Sequence, residues 1–152
     1  LIAMILQLPD QTVLVVLVYV EGNSEEVLTS AIRLLRSLVA DIQGRGGIWI
    51  DVLIIGDFNR HNQLWGGDEI SSARQREADN LINYMSENSL HSLLPRGTKI
   101  WQLGDREIII DLVLALIELA EEMIQCSIHY INHGSDYQVI ETEFDISVLD
   151  RP

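Results

Sequence analysis

The chain opens with two apolar runs, residues 1–8 (LIAMILQL) and 12–20 (TVLVVLVYV), divided only by Pro9, Asp10 and Gln11. β-Branched residues dominate the second run and the Pro-Asp pair supplies turn chemistry, so the pattern predicts a hairpin with both strands buried. The spacing then changes. Val27, Ala31, Ile32, Leu35, Leu38, Val39 and Ile42 recur every three or four positions after Ser24, Glu25 and Glu26, and stop at GRGG (44–47). That predicts an amphipathic helix covering a sheet. IWIDVLII (48–55) has the continuous apolar character of a strand packed on both faces, ending at Gly56. A second helix is expected from Ser72, with Gln75 completing a capping box, to about Asn88, on the strength of Ala78, Leu81, Ile82 and Met85. LLPRGT (93–98) closes that unit.

KIWQLG (99–104) and REIIIDLVLAL (106–116) predict two strands joined at Gly104-Asp105, ELAEEMI (118–124) a short helix or turn, and residues 127–131 and 138–144 two last strands around NHGSDY (132–137). The chain shows no internal repeat, low-complexity tract or linker. Strand-rich order with inserted helices implies layered sheets with helices outside, and 152 residues at 47% hydrophobic composition suit one domain over 1–152. Because Leu1 already stands inside a strand pattern, we expect a fragment of a larger domain, lacking N-terminal strands.

Charge narrows the function classes. Ten Lys and Arg against 23 Asp and Glu give a net charge of −13, which argues against non-specific polyanion binding. Arg60, Arg74, Arg76, Arg96 and Lys99 cluster in the middle third, but five acids share that stretch. The single cysteine, Cys126, excludes an internal disulfide framework and a Cys-based zinc site, and is expected to be a small buried hydrophobe. The apolar runs near the start fall far short of the ~20 residues of a spanning helix.

The candidate chemistry centres on GDFNRHNQLWGG (56–67). Asp57 follows a glycine at the end of a buried strand, and Asn59 points the same way if the chain stays extended. A carboxylate and an amide facing one opening suit a hard cation or a phosphate oxygen; the competing reading is an Asx turn closing the strand. His61 is a candidate phosphate donor or proton carrier, or an exposed loop residue. Trp65 can stack on a base or sugar or pack on its own domain. Asp111 stands within EIIIDLVLAL, where an ionised carboxylate must be paired or hydrogen-bonded. Asp136 in HGSDY is ordinary turn chemistry taken alone. Tyr19, ending a strand, can donate to a phosphate or sit in the core with its hydroxyl at the rim. Trp101 suits the core and His133 a loop.

In order along the chain, LVYV, IIGDFNRHNQLWGG, TKIWQ, IIIDLVLA and HGSDYQVIETEF resemble the endonuclease domain of LINE-type (non-LTR) retrotransposons, within the exonuclease-endonuclease-phosphatase superfamily, over nearly all 152 residues. The resemblance implies a four-layered α/β sandwich of deoxyribonuclease I type, N-terminally truncated here. It also implies Mg²⁺- or Mn²⁺-dependent hydrolysis of a DNA phosphodiester, nicking a target site to prime reverse transcription. Asp57 matches the aspartate that orients or deprotonates the attacking water, Asn59 the asparagine at the phosphate, and Tyr19 a tyrosine supporting the phosphate. Asp136 matches the aspartate beside the metal, with Asp57 near it, and Asp111 the aspartate that pairs with a catalytic histidine. DNA, a reverse transcriptase domain in the parent polyprotein and a nuclear location follow as expectations.

Three departures accompany the resemblance. Tyr137 stands where the closing Ser-Asp-His motif has histidine, so an imidazolium that stabilises phosphorane-like charge is replaced by a neutral donor with an ordinary pKa of ~10. Ile108 stands where the LINE branch often has serine, and the upstream asparagine and metal-binding glutamate have no counterpart. The expectation is an impaired endonuclease, or alternatively a catalytically inactive remnant acting as a folded binding or assembly module. An exposed apolar hairpin at 1–20 would then promote self-association. Phosphatases of inositol lipids and sphingomyelinases share the architecture, which fold alone does not separate.

Overall fold

The computed structural model describes residues 1–45, 47–103, 106–108, 110–131, 134 and 138–147, with the backbone alone for strand residues 101–103 and 106–108. Its centre is a five-stranded sheet whose strands, from one edge to the other, are β1 (2–8), β2 (11–19), β3 (51–57), β7 (111–116) and β4 (90–92). β1 (Ile2–Leu8) and β2 (Gln11–Tyr19) form the expected antiparallel hairpin. The helix α1 (Glu25–Gln43), capped by the Ser24 hydroxyl accepting from the Val27 N–H, carries the chain over to β3 (Asp51–Asp57), which lies parallel to β2. β7 (Asp111–Leu116) runs antiparallel to β3, and β4 (Leu90–Ser92) antiparallel to β7.

Alternation along the strands gives the sheet two faces. Leu14, Val16 and Val18 of β2, Val52 and Ile54 of β3 and Leu112 and Leu114 of β7 form a buried face, and the α1 stripe Leu28, Ile32, Leu35, Val39 and Ile42 belongs to the same core. The other face carries Val13, Val15, Leu17 and Tyr19, with their register partners Asp51, Leu53, Ile55 and Asp57. At its far end it is covered by α5 (Ile117–Glu121) and the antiparallel ribbon β8 (Met123–Ile128) and β9 (Ile140–Phe144), whose Met123, Ile128, Ile140 and Phe144 pack on the core. Gln11 Nε2 ties that end together by donating to both Asp51 and Glu122 carboxylates.

Several features differ from the sequence pattern. β1 is exposed along almost its whole length rather than buried, because it is an edge strand: Ile2 is 65% and Met4 53% exposed. Apolar composition reports a wish for burial, not the presence of a neighbour. The second helix is broken into α3 (Ser72–Gln75), a 3₁₀ turn (Arg76–Ala78) and α4 (Asp79–Glu87). Ser71, not Ser72, precedes it and makes no side-chain cap, and the Gln75 carbonyl is taken by Asn62 Nδ2 at 3.0 Å instead of serving the helix ladder. The expected strand 106–116 is two strands. β6 (Arg106–Ile108) pairs with β5 (Trp101–Leu103), whereas β7 joins the main sheet. The short β4 was not legible at all, and α2 (Gln63–Gly66) is a single turn inside the motif loop, capped by Asn62.

Gly56 makes the closest approach in the sheet. A Cβ there would stand 1.8 Å from the Val18 carbonyl oxygen, in the backbone of the neighbouring strand, which no side-chain motion can relieve. Gly56→Ala is therefore expected to part β2 from β3 at the end bearing Tyr19 and Asp57 and to cost about 3 kcal/mol of stability. A urea midpoint unchanged from wild type would refute this.

Candidate active site

Tyr19, Asp57 and Asp111 arrive at one point through register alone. Tyr19 is the parallel partner of Asp57, and Asp57 is the antiparallel partner of Asp111, so all three occupy one row at the same end of three adjacent strands. The Phe58 N–H donates to the Ile110 carbonyl at 3.0 Å. That makes the next pair, Asp57 with Asp111, a non-hydrogen-bonded one, the kind in which facing side chains stand closest. Two carboxylates thus meet on the sheet face away from α1, with the Tyr19 ring exposed beside them.

The loop leaving β3 is held by its own polar atoms. Asp57 Oδ1 accepts from the Asn59 N–H at 2.8 Å, an Asx turn, so the carboxylate closes the strand and faces Asp111 at once. The Asx-turn reading of GDFN is the one seen, and because the chain is not extended at Asn59 the strand alternation that would aim its amide with Asp57 does not apply. Asn59 takes a left-handed backbone (φ 48), which asparagine tolerates better than most residues, and its Nδ2 donates to the Val20 carbonyl at 2.7 Å. One amide hydrogen and Oδ1 are left for another partner. Arg60, not singled out in the sequence beyond its charge, is 1% exposed. Its guanidinium donates to the carbonyls of Gly22, Asn59 and Ser24 at 3.2, 2.9 and 2.7 Å. It therefore pins the β2–α1 turn to the Asp57–Asn59 loop. No sequence pattern marks such a strut, because its partners are main-chain carbonyls of other segments.

His61 lies low in this loop, with Nδ1 3.6 Å from the Glu77 carboxylate. Burial first, then the nearby Arg74, lower its pKa, against an opposing pull from Glu77; at neutral pH it is a neutral donor and not a cation. Trp65 requires a correction. It is 2% exposed, and its Nε1 donates to the Arg60 carbonyl at 3.0 Å, so the indole offers no face to a base and anchors the loop instead. Trp65→Leu is expected to lower stability by roughly 2–3 kcal/mol, read as a fall in the urea midpoint. An unchanged midpoint would refute the anchoring role.

The two carboxylates are electrostatically uneasy. Burial raises the pKa of Asp57, partly offset by the Asn59 N–H. Asp111 is pushed from the ordinary 3.8 to about 6, by burial first and then by Asp57. A carboxyl whose folded pKa exceeds its unfolded value favours the folded state below the unfolded pKa, and that stability is lost as pH rises from about 4 to about 6. Asp111→Asn should accordingly gain about 1–2 kcal/mol at pH 7.5, after allowing for solvent screening of a partly buried group, and nothing at pH 4. Denaturation at the two pH values checks this; an equal effect at both would exclude the charge pair as the cause.

Neither acid has a cationic partner among the described residues, where no group of three or more His, Cys, Asp or Glu gathers. Two unneutralised hard oxygen ligands side by side nevertheless fit a divalent cation such as Mg²⁺. Asp136, Tyr137 and His133 lie outside the described residues, as does the side chain of Trp101 and that of Ile108. Cys126 is buried as expected, its thiol pushed up by burial and sharing a hydrogen bond with Thr142.

Comparison with known proteins places this geometry. The family model described as "Endonuclease-reverse transcriptase" matches residues 13–141. Among solved structures the chain is similar to the endonuclease domain of TRAS1, a telomere-specific non-LTR retrotransposon, with a TM-score of 0.74 and 11% identity over 97% of this chain and 64% of that one. It is also similar to the 3'-5' exonuclease NExo from Neisseria meningitidis (TM-score 0.62, 17% identity, 94% and 64% covered). The catalytic domain of Xenopus laevis APE2 gives a TM-score of 0.61 at 18% identity, with 88% and 50% covered. At such identities the likeness establishes the fold, the deoxyribonuclease I-like α/β class anticipated from the sequence, and the chain spans less than two thirds of each of these structures. No curated protein sequence matches.

Proposed function

The chain belongs to the endonuclease-reverse transcriptase family, and from that premise we propose that it carries the site of a divalent-metal-dependent nuclease that nicks DNA by phosphodiester hydrolysis for a retrotransposon. The observation that carries the proposal is the Tyr19–Asp57–Asp111 row, which sets two carboxylates, without a cationic partner among the described residues, beside an exposed phenol. Asp57 and Asp136 are the residues that would hold Mg²⁺ or Mn²⁺. When bound, the ion supplies Lewis acidity and charge neutralisation at a phosphoryl oxygen. Asp57 orients the attacking water and takes its proton, a task suited to its raised pKa. Asn59 presents its remaining amide hydrogen, and Tyr19 its hydroxyl, to non-bridging phosphate oxygens. His61, neutral and partly covered, serves as a further donor at the loop. Tyr137 gives a neutral hydrogen bond where an imidazolium would stabilise more charge, which makes the enzyme slow.

Tyr137 also favours a second reading, a folded remnant that binds or assembles without cleaving. The partners on either reading are DNA, a reverse transcriptase domain of the same polyprotein in the nucleus, and a second copy through the exposed β1 strand. Nicking of supercoiled plasmid in Mg²⁺, against the same reaction in excess chelator, tests the proposal. Nicking that stops in chelator supports it, and nicking that persists overturns the metal requirement. No nicking by either wild type or Tyr137→His leaves the remnant reading.

A further inference from the structure

β7 runs from Asp111 away from the carboxylate row, α5 turns the chain at the end tied by Gln11 and Glu122, and the ribbon β8–β9 begins there. Just past the other end of β8 stand His129 and Tyr130, their rings stacked with centroids 4.9 Å apart and 24° between planes. The main-chain N–H of His129 donates to the Val139 carbonyl at 2.7 Å, its ring Nδ1 accepts from the Ile131 N–H at 3.3 Å, and its Nε2 lies 3.8 Å from the Glu141 carboxylate. The imidazole thus backs the neighbouring ring. Tyr130 lies on it and is 89% exposed, the most open of the large hydrophobic side chains among the described residues, with Ile131 and Val139 exposed beside it.

A solvent-facing aromatic ring held in place from behind has no folding role that its exposure explains. We propose that Tyr130, backed by His129, is a stacking platform for an unstacked nucleobase of the DNA substrate. The inference rests on the nuclease reading and deepens it. A chain of net charge −13 gains little affinity for DNA from counterion release. Base stacking is the charge-free source of affinity, and every base has a π-face to offer. Tyr130 thus supplies contact area where the chain lacks a basic surface, and its contribution is insensitive to salt.

The test is anisotropy titration, in chelator, of a fluorescent single-stranded oligonucleotide and of a matched oligomer of abasic sugar-phosphate units. Wild type is expected to bind the base-bearing strand more tightly, and Tyr130→Ala to raise its Kd roughly 5- to 150-fold. Tyr130→Phe is expected to keep the affinity, and Tyr130→Ala to leave abasic binding and the salt slope unchanged. Circular dichroism confirms that the variants fold. If wild type binds the base-bearing strand and Tyr130→Ala binds it as well, or loses affinity equally on the abasic strand, the platform is overturned while the nuclease reading stands. If wild type binds neither strand, the nuclease reading falls, and the platform with it.

Discussion

Asp57→Asn is expected to lower metal-dependent plasmid nicking by about 10⁴-fold, the upper end of what a positioned general base contributes, while making the protein more stable near neutral pH. The two effects have one origin. Asp57 and Asp111 face each other in the closest kind of antiparallel pair, and each holds its proton more firmly than usual. Directly opposed like charges destabilise a sheet, so an uncharged isostere at 57 relieves repulsion. The amide keeps Oδ1, which still accepts from the Asn59 N–H, so the turn survives and the loss of rate cannot be assigned to misfolding. Stability should rise at pH 7.5 and be indifferent at pH 4, where the Asp111 carboxyl, pushed up to about 6, is protonated and the repulsion is gone. A rate within tenfold of wild type would remove Asp57 from the chemistry, and a fall in stability would remove the repulsion.

The opposite substitution in effect is Tyr137→His, expected to raise the nicking rate by about 10²–10³-fold, the worth of one positioned donor at developing charge. The family resemblance pairs an imidazole at that position with the Asp111 carboxyl, which has no cationic partner among the described residues and is raised to about 6. A protonated imidazole beside it would pull that value back down. The gain in rate should therefore come with a loss of the Asp111→Asn stabilisation at pH 7.5, because the carboxylate would no longer be uncompensated. Rates and stabilities of the single and double variants measure the coupling. A faster enzyme with the stabilisation intact would mean that residue 137 acts on the phosphate without touching Asp111.

Much of the fold was visible in the chain because its elements carry their own periodicity. The α1 stripe from Leu28 to Ile42 repeats with the helix, and Ser24 marks its start. The β1–β2 hairpin is announced by Pro9 and Asp10. What could not be read was whatever depends on the identity of a neighbour. The apolar run at 106–116 hides a change of partner between Ile108 and Asp111, since hydrophobicity is the same in a ribbon and in a central strand. Asp57 and Asp111 were each suspect as acids in apolar surroundings, yet nothing in their separate stretches says that they oppose one another. Trp65 was ambiguous for a related reason: its type suits both a substrate face and a core, and the Arg60 carbonyl that fixes it as core is a main-chain atom with no signature. Tyr130 was passed over because a single exposed tyrosine after a strand has no pattern around it.

The alignment of Tyr19, Asp57 and Asp111 also bears on when the site comes into being. Its three members belong to stretches far apart in sequence and are gathered only by completed strand pairing, so a half-folded polypeptide contains no carboxylate pair. A slip of one residue between β3 and β7 would turn Asp111 to the opposite face and leave a molecule that is compact but lacks the site. The site is in this sense a property of the finished sheet, absent until β2, β3 and β7 stand in their one correct alignment.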